Sequence, residues 1–382
     1  MIYVDNNATT SLAVDVALAM SQAYESAFYN PSSQHQAGQK ARRRLDDARE
    51  TILNSLGAVT TRFASDRLVF TSGGTEANNL ALFGLGKETS GQVIISAIEH
   101  PSISEAADQL TSRGMKVRVL PVDGNGVVQF DQLDQWLTEP TRMVSVMLGN
   151  NETGVLQPIQ EIATICRDHE VPLHVDAVQG IGKIPVNFRA LGASAMTLTP
   201  HKFHGPRGIG ALVLDDRVTL KPSMFGGSQQ LAMRPGTESV ELAIGFERAL
   251  QLAVEALPDA GPSMLALRDR LETLLTDLIG EDEMVIIGRD APRLPHTSNV
   301  AFPGLDRQAL VMALDMAGVA CSTGSACASG SSQPSPTLLA MRLPEDVISS
   351  SIRLSLSRFT TEPEVDEVAS RISNCVKHLR QG

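Results

Sequence analysis

Apolar runs of strand length alternate with helix-length segments between residues 68 and 214. That alternation predicts an α/β protein with a mainly parallel mixed sheet covered by helices on both faces. Polar clusters punctuate the runs at Thr71-Ser-Gly-Gly-Thr-Glu76, Glu99-His-Pro101, Asn150-Asn-Glu-Thr-Gly154, Asp176-Ala-Val-Gln179 and Thr199-Pro-His-Lys202. Ligands in open α/β sheets sit at the carboxyl ends of strands, so five clusters distant in sequence are expected to share one edge. The chain of 382 residues is long for a single core, and strand and helix signals resume near residue 284. A second, smaller α/β domain follows from this.

The elements are expected in this order. Residues 1–10 form a short strand and turn, and Ala13, Ala17, Met20 and Tyr24 recur at helical spacing. Asn30-Pro-Ser-Ser33 is a turn. A long helix follows, with Ala37, Ala41, Leu45, Ala48, Ile52 and Leu56 as one stripe and Gly57 at the C-cap. Arg42–Arg44 stand three and four residues from Asp46 and Asp47, with Glu50 a further turn on, which reads as a self-paired solvated face. Strands are expected at 68–70, 93–97, 117–122, 143–148, 173–175, 193–198 and 209–214, with helices at 75–85, 102–113 and 159–169. The last two strands have no helix between them and are expected to pair as a hairpin. Two helices, 238–257 and 262–279, are separated by Pro258 and Gly261. The smaller unit has strands near 284–287, 298–302 and 352–356 and helices near 307–317 and 363–379. The division is 15–257 for the large domain, with 1–14 and 258–382 for the small one. Residues 322–336, rich in Gly, Ser and Pro, read as a mobile loop.

A net charge of −11 argues against nucleic acid as a partner. No apolar run approaches the roughly 20 residues that span a bilayer. The N-terminus shows no signal-peptide pattern, so a cytoplasmic protein is expected. The four cysteines, Cys166, Cys321, Cys327 and Cys375, form no CxxC pair, so neither a disulfide framework nor a metal site is expected.

Lys202 is the first candidate for chemistry. A lysine at a buried strand end is costly, and desolvation frees its amine as a nucleophile. Gly74 and Thr75 open a helix after two glycines, a pattern that either holds an anion or simply caps a helix. Asp176 at a strand end either pairs with a protonated ring nitrogen or caps the next helix. Gln179 suits a ring hydroxyl or a solvated turn. His100 precedes a Pro-started helix and is suited to stack on a ring and move protons. His174 reads as a core histidine, and Asn151 as a substrate contact or a turn residue. Arg353 offers a planar fork for a carboxylate, although Ile352, Leu354 and Leu356 equally fit a half-buried strand with Arg353 at the surface. Cys327 lies in a flexible segment where a thiol can react, whereas Cys321 sits in an apolar run.

Taken together, these residues resemble the cysteine desulfurase family within the fold-type I, class V aminotransferase group of pyridoxal-phosphate enzymes. The matching motifs, in order, are Asp5-Asn-Asn-Ala-Thr-Thr10, Asn30-Pro-Ser-Ser33, Thr71-Ser-Gly-Gly-Thr-Glu76, Glu99-His100, Asn150-Asn-Glu-Thr-Gly154, His174-Val-Asp-Ala-Val-Gln179, Pro200-His-Lys202 with Gly205-Pro-Arg-Gly-Ile-Gly210, Arg234-Pro-Gly-Thr237, Gly324-Ser-Ala-Cys327 and Ser351-Ile-Arg353. The resemblance implies pyridoxal 5'-phosphate held by Lys202 as a Schiff base, with Asp176 at the pyridine nitrogen, Gln179 at the phenolic oxygen and His100 stacked on the ring. It implies phosphate contacts from Gly74, Thr75, Thr199 and His201, and from Thr237 across a homodimer. Asn151 and Arg353 would hold the carboxylate of L-cysteine. Cys327 would take its sulfur as a persulfide, releasing L-alanine and passing sulfur to an acceptor such as an iron–sulfur scaffold. Ser322-Thr-Gly324 stands where the family usually has Ser-Ser-Gly, Thr199 where it often has Ser, and Pro235 where Ser is common. The short tail after the last helix bears on which scaffold would dock. A transaminase, lyase or epimerase of the same fold would not need Cys327. A non-catalytic assembly subunit would not need Lys202, Asp176 and His100.

Overall fold

The computed structural model describes residues 1–60, 65–86, 91–324 and 333–381. A seven-stranded sheet forms the larger part, in the order Arg67–Thr71, Gly210–Leu214, Ala195–Leu198, Leu173–Asp176, Thr141–Met147, Gln92–Ser96 and Lys116–Leu120. The strand Gly210–Leu214 pairs antiparallel with both its neighbours, and every other pairing is parallel. Six strands therefore point their carboxyl ends at one edge. The central strands carry almost uninterrupted Val, Ile, Leu and Met because helices cover both faces. Ala195–Leu198 and Gly210–Leu214 form the expected antiparallel pair, and the turn between them carries Lys202.

The helix Gln36–Ser55 buries Ala41, Leu45, Ala48 and Ile52, and Gly57 closes it at φ 66°. On its outer face Arg42 pairs with Asp46 and Arg44 with Asp47, at 3.8 and 3.9 Å. The helix Val14–Ser26 differs from expectation. Its buried residues are Val16 and Ala23, with Met20 half-buried, while Ala17 and Tyr24 face solvent. Turning the helix this way removes the larger Val and Met side chains from water instead of Ala17.

A second difference concerns Pro258 and Gly261. They do not break the chain into two helices, because Val240–Ile279 is one helix of 40 residues with Pro258 and Pro262 inside it. An internal proline costs about 3 kcal/mol. Both prolines are exposed, so carbonyls that lose their donors can be hydrated. The two halves also bury separate faces. Phe246, Ala249, Leu250 and Ala253 pack into the core of the large sheet, while Leu271 and Leu275 pack into a second core.

That second core gathers Val300, Phe302, Leu310, Leu314, Ile352, Leu354, Val368 and Ile372, together with Val4 from the N-terminus. It lies against an antiparallel three-stranded sheet in the order Ser351–Ser355, Thr297–Ala301, Val285–Ile286. The first strand, Ile2–Tyr3, pairs in parallel with Val319–Ala320. Beyond this pairing Asp5 and Asn6 meet Ser355 of the three-stranded sheet, and Asn7 reaches the cavity at the edge of the large one.

Candidate active site

The carboxyl ends of the parallel strands open into a cavity of about 270 Å³. Its walls include Gly74 and Thr75 from one helix start and His100 from another. Asn151 comes from the turn after Thr141–Met147, and Asp176 and Gln179 from the end of Leu173–Asp176. Thr199, His201 and Lys202 come from the turn after Ala195–Leu198, and Arg353 from the smaller sheet. Ten residues singled out in the sequence thus meet at one place. Thr237 does not line this cavity and is exposed. Cys327 lies outside the described residues, as does most of the loop that carries it.

At one end of the cavity a helix begins. Gly73 accepts the first intrahelical bond, from the Ala77 N–H at 3.1 Å, so the amides of Gly74, Thr75 and Glu76 precede the ladder. Such a start favours an anion. A Cβ on Gly210 would meet the Gly73 backbone at 2.5 Å, so the glycine on the neighbouring strand sets how closely the turn packs. Thr199 anchors its own turn through its Oγ, which donates to the Ile209 carbonyl at 2.9 Å. The His201 Nδ1 lies 3.2 Å from the Thr9 hydroxyl. Burial, and then the charges of Lys202 and Arg207, lower His201 to about 4.

The middle of the cavity holds Lys202, Asp176 and His100. The Lys202 Nζ donates to the carbonyls of Asn7 and Ala8. Gln179 Nε2 donates to the same Asn7 carbonyl at 3.1 Å. Asp176 is buried and accepts from Asn78 Nδ2 at 2.7 Å and from the Val178 N–H at 3.0 Å. His100 caps its helix, its Nδ1 accepting from the Ser102 N–H at 3.1 Å. Burial first, then the Lys202 charge, moves His100 below the usual imidazole range, against an opposing pull from Asp176. His174 is a core residue as expected. Its ring nitrogens meet the Ser145 and Thr197 hydroxyls at 2.9 Å each, and burial lowers it to about 4.

The far wall is Arg353, which is only 1% exposed, so the surface alternative does not hold. Its Nη1 donates to the Asn151 carbonyl at 3.0 Å and to the Gly324 carbonyl at 2.5 Å, and its Nη2 meets Asp5 Oδ1 at 2.6 Å. The alternation in Ser351–Ser355 does bury Ile352 and Leu354 in the second core, which turns Arg353 toward the cavity. Asn150 and Asn151 divide the work of their turn. Asn150 is fully buried and its Oδ1 accepts from the Glu152 and Thr153 amides, leaving Asn151 at the cavity wall.

Three lining residues with polar side chains escaped sequence reasoning. Asn7 donates from Nδ2 to Thr297 Oγ1 and the Asn151 carbonyl and accepts from His296 Nε2 at 2.7 Å. Its only signal was a polar run directly after an apolar strand. Asn78 lies in the second turn of one helix and Ser102 in the first turn of another. The spacing of four from Gly74 to Asn78 places them on one helix face, a signal that was available.

The chain belongs to the class-V aminotransferase family, whose model matches residues 2–368. Within that family its relatives are cysteine desulfurases. One from Trichormus azollae is 37% identical over all of this chain and 94% of its own length. The cysteine desulfurase NifS of Azotobacter vinelandii is 36% identical over 99% of this chain and 93% of its own length. A solved NifS-like protein from Rickettsia africae superposes with a TM-score of 0.89 at 31% identity, covering 99% of each chain. Another solved relative, SspA in complex with cysteine, has a TM-score of 0.80 at 29% identity, covering 94% of this chain and all of the other.

Proposed function

We propose that the protein is a pyridoxal-phosphate-dependent cysteine desulfurase, converting L-cysteine to L-alanine and leaving the sulfur as a persulfide on Cys327. The observation that carries the reading is the convergence of Lys202, Asp176, His100 and a helix N-terminus on one cavity of about 270 Å³. The donor set fits the cofactor. Early helix amides, the Thr75 hydroxyl, Thr199 and His201 suit its phosphate. The buried Asp176 carboxylate suits a protonated ring nitrogen, Gln179 its phenolic oxygen, and Lys202 its aldehyde. When bound, pyridoxal phosphate supplies an electron sink for the bonds at the substrate Cα.

The chain's own residues do the rest. Arg353 and Asn151 hold the substrate carboxylate, which fixes the amino acid's orientation. Lys202 and His100 move protons at the substrate Cα and sulfur. The Cys327 thiolate attacks the substrate sulfur. A new S–S bond forms as the Cβ–S bond breaks, and its electrons pass to the substrate carbon that becomes the alanine methyl. The described thiols do not suit this role, because burial pushes Cys166 and Cys321 up to about 12 and also raises Cys375.

The two cores joined along Val240–Ile279 are read as two domains, 15–257 and the remainder. The protein is read as a homodimer. Thr237 stands exposed outside its own cavity, and Phe225 and Leu231 nearby are 87% and 77% exposed, an apolar surface suited to a second copy. Sulfur would then pass to an acceptor such as an iron–sulfur scaffold. No described helix is long and apolar enough to cross a membrane, and the described cysteines are unpaired, in keeping with a reducing cytoplasm.

The test is to supply the cofactor, reduce with borohydride and map the modified peptide, then assay alanine from L-cysteine. The pigment should be fixed on Lys202, and Lys202→Ala should make no alanine. Fixation elsewhere, or alanine at an undiminished rate from Lys202→Ala, would contradict the reading.

A further inference from the structure

We propose that Asn78 and Ser102 are positioning residues that tie His100 and Asp176 into one hydrogen-bonded unit and fix the ring proton of His100 on Nε2. The proposal deepens the cavity reading above. Asn78 is 1% exposed and Ser102 is 7% exposed. The Asn78 Nδ2 donates to Asp176 Oδ2 at 2.7 Å and to Ser102 Oγ at 2.8 Å. A primary amide nitrogen has two hydrogens and no acceptor, and both hydrogens are used here. Ser102 Oγ therefore accepts from Asn78, which leaves its own hydrogen for His100 Nδ1, 2.8 Å away. The Ser102 backbone N–H reaches the same nitrogen at 3.1 Å. Two donors aim at Nδ1, so Nδ1 is the acceptor and the neutral ring carries its proton on Nε2.

The direction of the amide follows from its surroundings. Reversing Asn78 would set its Oδ1 against an Asp176 oxygen at the same short separation, two acceptors face to face. The chain Asp176–Asn78–Ser102–His100 thus has one sense. It draws on the end of a strand, the body of one helix and the start of another. Two consequences follow. His100 meets an occupant of the cavity as an Nε2–H donor. Protonating Nδ1 requires the Ser102 hydroxyl to turn away, so the unit resists charging of the ring. Among the described residues, the charged groups that act on the ring are Asp176 and Lys202, and neither is changed by the substitutions below.

The test reads the His100 ring by nitrogen NMR on the full chain without cofactor, with His100→Gln identifying its signals. Wild type should show a neutral ring with the proton on Nε2. Ser102→Ala should raise the His100 pKa by roughly one unit, the net worth of one hydrogen bond. Asn78→Ala should raise it too, because Ser102 Oγ is then able to accept from Nδ1. Ser102→Thr, which keeps the hydroxyl, should titrate like wild type. If Asn78→Ala fails to fold, the Ser102→Ala and Ser102→Thr pair decides the matter alone. An Nδ1–H ring in wild type, or a His100 titration unmoved by Ser102→Ala, would overturn the proposal. No cysteine turnover enters the readout, so failure here and failure of the desulfurase reading are separate results.

Discussion

Arg353 is held by three partners from three parts of the chain: Asp5, the Asn151 carbonyl and the Gly324 carbonyl. A lysine has one ammonium on a flexible stem and cannot reproduce that planar fork. Arg353→Lys should therefore raise the KM for L-cysteine by about tenfold or more, the worth of one charge-assisted hydrogen bond. Its effect on kcat should be smaller. Initial-rate kinetics check this, and a loss confined to kcat would contradict a carboxylate-binding role. At this scale the sequence pointed to most of the charged side chains that line the cavity, because Lys, His, Asp and Arg are conspicuous beside apolar runs. It did not show Asn78 or Ser102. Short polar residues near a helix start carry no distinct signal until the fold brings Asp176 beside one and His100 beside the other.

Among the elements, the turn after Arg67–Thr71 depends on a neighbour rather than on its own residues. A Cβ on Gly210 would stand 2.5 Å from the Gly73 backbone, which has no flexible side chain to yield. Gly210→Ala should cost about 1–3 kcal/mol of stability, as overpacking does. It should also weaken cofactor retention by tilting the helix start proposed to hold the phosphate. Urea unfolding and cofactor titration measure the two effects, and unchanged values would refute the packing argument. The strands of the large sheet were readable because burial on both faces leaves continuous apolar runs. The helix Val240–Ile279 was misread for a physical reason. Local proline signals mark a break, but two exposed prolines are outweighed when each half of the helix buries its own face in a separate core.

Over the whole molecule, buried neutral imidazoles make stability depend on pH. The folded value for His174 is about 4, below the ordinary 6.5, because of burial. The unfolded chain therefore binds the proton first as pH falls. The stability is fully present above pH 6.5 and is lost between there and about 4, with His174 alone contributing on the order of 3 kcal/mol. His174→Asn should flatten the fall of the urea midpoint over that window, and an unchanged slope would contradict the assignment. The exposed pair Phe225 and Leu231 makes a second prediction at this scale. Changing both to Asp should convert the proposed dimer into monomers in sedimentation and lower activity, whereas an unaltered sedimentation profile would contradict the proposed interface. The separate three-stranded sheet was readable from the resumption of strand signals near residue 284. The pairing of the N-terminal strand with Val319–Ala320 was not, because a two-residue strand carries no periodicity.

On the proposed reading, this cavity takes sulfur from cysteine and hands it to a particular thiol. Cofactor-loaded protein incubated with L-cysteine should gain the mass of one sulfur atom per chain, mapped to Cys327, with an equal amount of L-alanine released. Cys327→Ala should keep the bound pigment yet gain no sulfur. Alanine formed at the wild-type rate by Cys327→Ala, or a sulfur adduct on Cys166, Cys321 or Cys375 instead, would contradict the account.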